Sequence, residues 1–118
     1  LPAPVGLPAD PGEAGARAFV DEFMTARVRG DQPRARDFLS PTALEQYGEG
    51  AGGLALIGPE GTPFSGWELL ALNAADASSY EVTVLVHGNP DFEETFFIGP
   101  GPDASGTQRP WIVRGATR

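Results

Sequence analysis

Few side chains in this chain could do chemistry, and the first question is which of them could work together. There are two tyrosines, Tyr47 and Tyr80, one histidine, His87, and no cysteine. A tyrosine hydroxyl as proton donor, Tyr80 or Tyr47, beside a carboxylate base such as Glu81, Asp21 or Asp37, is a general acid–base pair. Such a pair works only within hydrogen-bond reach in a dry cavity. Missing cysteine removes disulfides, thiolate nucleophiles and sulfur-ligated metals together. His87 stands beside a Gly88-Asn89-Pro90-Asp91 turn and reads as an exposed histidine. Near it, Asn89, Asp91, Glu93 and Glu94 form an oxygen-rich cluster. Strand alternation sends Glu93 and Glu94 to opposite faces, so the cluster reads as a charged sheet edge rather than a cation site. No metal and no cofactor is expected. A glycine-rich stretch, Gly48 to Pro63, lacks the Gly-Lys-Ser/Thr ending of a phosphate-binding loop and does not join a strand to a helix.

Composition narrows the classes of function further. The 118 residues carry a net charge of −8, and all eight basic residues are arginine. An acidic chain lacks the positive surface that nucleic acid or an anionic membrane requires, so neither is expected as a partner. No apolar run reaches the roughly 20 residues of a membrane span. Residues 1–12 are rich in proline and read as a semi-rigid spacer. That spacer, with Leu1 rather than Met at the first position, sets the expectation of an extracytoplasmic protein, secreted or anchored through an upstream segment. Residues 13–118 read as a single domain with a Gly-rich loop over 48–63.

The elements that must position the candidates follow from periodicity. Asp10-Pro11-Gly12-Glu13 has helix-start chemistry, with Asp10 as cap and Pro11 at the first helical position. Ala16, Phe19, Val20, Phe23, Met24 and Val28 then mark one apolar face, and Gly30 suits the helix end. Asp21 and Glu22 fall on the polar side. Asp31 opens a short helix through Arg36, and Ser40-Pro41 starts a further turn carrying Leu44 and Tyr47. Leu54 to Ile57 is an apolar island inside the glycine-rich stretch, expected to dock on the domain.

Strands follow. The first is expected over Phe64 to Asn73, with Trp67, Leu69 and Ala71 on one face. Tyr80, Val82, Val84 and Val86 alternate with Glu81, Thr83, Leu85 and His87, so Tyr80 reads as core with its hydroxyl at the rim. Phe92 to Ile98 and Arg109 to Arg114 complete the set, separated by a turn-rich loop over Gly99 to Gly106. Helices first and an antiparallel meander after them predict an α+β fold, N-terminal helices packed on a curved antiparallel sheet of about four strands.

This arrangement resembles the nuclear-transport-factor-2-like (cystatin-like cone) superfamily. It is closest to small domains of bacterial lipoproteins and membrane-anchored extracytoplasmic regulators. The residues that carry the resemblance are Ala16-Arg17-Ala18-Phe19-Val20-Asp21-Glu22-Phe23-Met24, the phrase Gly30 to Pro41, and the ending Glu94-Thr95-Phe96-Phe97 with Trp111-Ile112-Val113. It covers about residues 13–116 and implies a cone with an interior pocket. Isomerase-like relatives pair an Asp base with a Tyr donor, and hydrolase-like ones set Asp, Arg and Asp around a water. Neither set maps residue by residue onto this chain.

Adjacent Phe96 and Phe97 must face opposite ways, and an outward aromatic on the sheet suggests a partner or a homodimer. The leading expectation is therefore a non-enzymatic extracytoplasmic binding or protein-interaction module with no catalytic residues. Trp67, Leu85 and Phe97 on the sheet, with Leu54 and Ile57 in the loop, are its candidate contacts. The alternative is a small cone-fold isomerase or hydrolase acting on an apolar small molecule through Tyr80 or Tyr47. A carboxylate pointing inward beside an aromatic hydroxyl would separate the two.

Overall fold

The apolar stripe read at 16–28 becomes helix α1 (Gly12–Val28), whose Ala16, Phe19, Val20, Phe23 and Met24 are all fully buried. Gly30 follows with φ +72°, the left-handed turn a glycine makes without a Cβ penalty. Helix α2 (Gln32–Arg36) is capped by the Asp31 carboxylate, which accepts from the Arg34 amide. Helix α3 (Pro41–Gln46) is capped by the Ser40 hydroxyl, which accepts from the Ala43 amide. Both caps satisfy amides that the first turn leaves without a partner. The structure, a computed structural model, describes residues 12–47, 56–58, 61, 63–76, 78–88 and 90–117. The proline-rich residues 1–11 with the Asp10 cap, most of the glycine-rich stretch including Leu54, and Asn89 lie outside the described residues.

Four strands follow the helices: β1 (Gly66–Ala74), β2 (Tyr80–His87), β3 (Phe92–Pro102) and β4 (Gln108–Thr117). They form one antiparallel meander in the order β1-β2-β3-β4. The expected α+β class with a four-stranded antiparallel sheet is what the chain adopts. Val82, Val84 and Val86 of β2 and Phe96 and Ile98 of β3 face the helices and are fully buried. Phe23 of α1 lies edge-on to Phe96, ring centroids 5.4 Å apart, and Phe19 lies edge-on to Phe38 at 5.3 Å. A single apolar cluster thus joins α1, the α2–α3 segment and the sheet.

Three expectations change. The register of β1 shifts between Leu69 and Ala71, a bulge that leaves Leu70 half exposed. Leu69 pairs with Val84 and Leu72 with Val82, so Leu72 takes the inner position expected of Ala71, which moves to the outer face opposite Thr83. Next, β3 runs on through Pro102, into the first half of the stretch read as a loop over Gly99 to Gly106. Only Asp103–Thr107 forms the hairpin tip, tied by the Asp103 carboxylate accepting from the Ser105 and Thr107 amides. Within β3, a Cβ at Gly99 would stand 2.8 Å from the Ser79 hydroxyl, so a larger residue there would have to displace that side chain.

The third change concerns β3, which is interior to the sheet and not the charged edge expected of Glu93 and Glu94. The β4 edge is covered where Leu39 pairs in parallel with Val113. There the Ser40 amide donates to the Val113 carbonyl and the Val113 amide to the Phe38 carbonyl.

Candidate functional site

Among the described residues, Arg27 and Glu94 form an ion pair whose two side chains both lie wholly inside the core. Arg27 lies one helical turn beyond Phe23 and Met24, on the buried face of α1. Glu94 alternates with Phe92, Phe96 and Ile98 on the inner face of β3. Both side chains are completely shielded from solvent. The guanidinium grips the carboxylate as a fork: Nη1 donates to Oε2 at 2.7 Å and Nη2 to Oε1 at 3.3 Å. Bidentate geometry of this kind is what makes a buried pair tolerable, since each charge satisfies the other's hydrogen-bonding groups.

Tyr47, buried at the end of α3, donates its hydroxyl to the same Oε2 at 2.6 Å. Arg27 Nε donates to the Leu56 carbonyl at 2.7 Å, and Nη1 also touches the Met24 sulfur at 3.5 Å. Rings of Phe23, Tyr47 and Phe64 surround the guanidinium, their centroids 5.3, 5.1 and 5.8 Å from Cζ. Aromatic faces favour a cation more strongly when it is desolvated. Burial alone works against the Arg27 charge. The Tyr47 oxygen and the Glu94 carboxylate more than offset it, so Arg27 is held above its ordinary value. No described buried side-chain nitrogen or oxygen lacks a hydrogen-bond partner.

Of the proposed donor–base pairs, the structure brings Tyr47 to a carboxylate, but that carboxylate is Glu94. Asp21 and Asp37 are exposed on the helical side, and Glu81 stands on the outer face of the sheet between Asn73 and Phe97. Tyr80 packs beside Trp111, ring centroids 5.9 Å apart, against the core with a minor part of its surface exposed. Sequence reading missed both Arg27 and Glu94, although a signal existed for each. Arg27 continues the spacing of Phe19, Val20, Phe23 and Met24, and Glu94 falls in step with three inward apolar residues. Two opposite charges on apolar faces of different elements are the mark of a buried pair.

The candidate contacts divide between the two faces. Trp67 and Ile57 pack against the core. Leu85 and Phe97 lie on the outer face, Phe97 with 37% of its surface exposed. His87, also outward, is bracketed: Nδ1 lies 3.0 Å from Asp91 Oδ2 and Nε2 lies 2.9 Å from Glu68 Oε2. The hydrogen bond to Asp91 raises the imidazole above its ordinary value; desolvation opposes it, and the Glu68 contact adds to the rise. No cluster of metal-ligating residues occurs among the described residues.

Two grooves of about 360 and 370 Å³ open on the surface, one lined by Arg36, Asp37 and Leu44, the other by Asp76, Phe97 and Arg114. Neither touches the Arg27–Glu94–Tyr47 cluster. No described helix is long and apolar enough to cross a membrane. Compared with protein-family models, curated proteins and solved structures, the chain finds no match.

Proposed function

We propose that this chain is a non-enzymatic binding module that meets a protein partner through its sheet. The observation that carries this reading is the state of Glu94. It is the inward carboxylate beside a tyrosine hydroxyl, the arrangement that an acid–base enzyme would use, yet the Arg27 fork occupies both its oxygens and no solvent reaches it. A base must be able to accept a proton from a substrate, and a carboxylate paired on every side in a dry core is committed to holding the fold. Function then falls to the surface, where Leu85 and Phe97 stand on the outer face of the sheet. The helices-then-meander order supports membership of the cone superfamily. The proline-rich residues 1–12 support a module held outside the cytoplasm.

One observation favours a second reading, the small cone-fold enzyme. The Tyr47 hydroxyl and Glu94 are already in hydrogen-bond contact at 2.6 Å, and Leu56 is the residue whose carbonyl closes over Arg27. A screen of small apolar molecules followed by NMR separates the two. The binding-module reading expects the Phe23, Tyr47 and Glu94 resonances to stay fixed. A compound that shifts them saturably overturns it in favour of a ligand in the core.

A further inference from the structure

The outer face of the sheet has a definite chemical pattern, set by register. Across β1, β2 and β3, Glu68, Leu85 and Glu93 stand in one row, and Ala71, Thr83 and Thr95 in the next. Asn73, Glu81 and Phe97 form a third row. The middle row is flat: the Thr83 and Thr95 hydroxyls are hydrogen bonded to each other at 3.2 Å. Each apolar side chain is therefore flanked by carboxylates, Leu85 by Glu68 and Glu93, and Phe97 by Glu81.

None of these three strands contains a lysine or an arginine. His87 is engaged with Glu68 and Asp91, and Arg114, at the Phe97 end, donates to the Ser79 hydroxyl at 3.3 Å. Among the described residues, Glu81 and Glu93 make no salt bridge. Glu93 thus adds uncompensated negative charge beside Leu85. Glu81 adds negative charge beside Phe97, where the Arg114 guanidinium, bonded to a neutral hydroxyl, lines the same groove and offsets it.

Resting on the interaction-module reading, we infer that this face docks a cationic protein segment, one that sets an apolar side chain on Leu85 with lysines or arginines beside it toward Glu68 and Glu93. Charge decides against a second copy of the same face, because docking it would oppose Glu68, Glu81 and Glu93 with their own kind. Like-charge juxtaposition suppresses such partners, whereas complementary charge speeds encounter and sets register.

The test uses isotope-labelled full chain and two short synthetic peptides, one alternating lysine and valine, the other alternating glutamate and valine. The Lys/Val peptide is expected to shift the Thr83, Leu85, Thr95 and Phe97 amides saturably, and added salt to reverse the shifts. The double variant Glu81→Gln/Glu93→Gln should keep the native spectrum and bind that peptide about tenfold more weakly, a small step on the affinity scale. Three results overturn the inference. If the Glu/Val peptide shifts these amides as strongly, the face docks partners but not by cation recognition. If the amides shift with protein concentration alone, the occupant is a second copy, and the interaction reading survives. If nothing moves this face, the inference and the interaction reading fall together.

Discussion

Two clusters in this molecule set a basic side chain against carboxylate at nearly the same distance, on opposite faces of one sheet. Inside, Arg27 meets Glu94 at 2.7 Å with neither side chain exposed. Outside, His87 meets Glu68 and Asp91 at 2.9 and 3.0 Å with 34%, 59% and 51% of the respective side chains exposed. The contacts look alike, but the solvent makes them different. In a dry core the attraction is strong and the desolvation cost is stronger still, so each partner is needed to make the other bearable. At the surface, water and salt screen the pair, and its energy falls toward the scale of thermal motion. The inner cluster therefore belongs to the fold's integrity, and the outer one to the surface's charge pattern.

The inner cluster should give the largest effects. Replacing Arg27 alone with methionine leaves the Glu94 carboxylate buried without its counter-charge, and the expected loss is about 3–5 kcal/mol. Against a total stability of about 5–15 kcal/mol, that brings the protein close to unfolding at ambient temperature. The contrast with the outer cluster is sharpened by the double variant Arg27→Met/Glu94→Leu, which removes both charges. It should be clearly more stable than either single variant in urea denaturation, because an apolar pair of similar volume has no desolvation cost. A double variant as unstable as the sum of the singles would break the claim that unpaired charge is what makes the single substitutions costly.

Tyr47→Phe is the next step down. It removes one hydroxyl from Glu94 Oε2 while the Arg27 fork remains. The expected loss is about 1.5–3 kcal/mol, the range for a hydrogen bond to a charged group. A loss as large as that of Arg27→Met would mean that the hydroxyl, not the guanidinium, holds Glu94 in place. Smaller again is Ser40→Ala at the α3 cap, which leaves the Ala43 amide without its side-chain acceptor. It should cost about 1 kcal/mol by thermal unfolding, as such caps do. No measurable change would show that the backbone pairing of Ser40 with Val113 suffices to seat the helix.

How much of this could be read beforehand depends on whether the signal was local. The α1 stripe, the Asp31 and Ser40 caps and the strict alternation of β2 are short-range patterns, and each appeared where its residues implied. The β1 bulge was not legible. Leu69-Leu70-Ala71-Leu72 is apolar throughout, so nothing in it marks which residue is the extra one, and only pairing with Val82 and Val84 decides. The continuation of β3 through Gly99-Pro100-Gly101-Pro102 was hidden by turn-forming residues, of which Gly99, Gly101 and Pro102 here pair with β4. The Arg27–Glu94 contact joins residues 67 positions apart. Each charge could be recognised as misplaced on an apolar face, but their pairing required the sheet to be assembled over α1.

The smallest effect lies in the outer cluster, and it is the one that pH can reach. Both imidazole nitrogens face carboxylates, Nδ1 toward Asp91 and Nε2 toward Glu68, and only the protonated ring can donate at both. Hydrogen bonding, to Asp91 above all and then to Glu68, raises the His87 value above its ordinary 6.5, and His87 in turn holds Asp91 below its ordinary value. A group whose value is raised on folding adds stability that is fully present below the unfolded value, near pH 6.5, and is lost as pH climbs through the folded one. For Asp91 the sign reverses: its contribution is present above about pH 3.9, its unfolded value, and is lost as pH falls through the folded one. The clasp between β1, β2 and the β2–β3 turn is therefore tightest in mildly acidic solution and slackens toward alkaline pH. Following the His87 ring protons by NMR should give a midpoint above 6.5 that moves down in Asp91→Asn and, by less, in Glu68→Gln. His87→Gln should remove the corresponding slope from the stability profile while leaving the Arg27–Glu94 cluster undisturbed. A midpoint at or below 6.5 in the intact protein would mean that solvent screens both carboxylates completely. The difference between the two faces would then be wider than the contact distances imply.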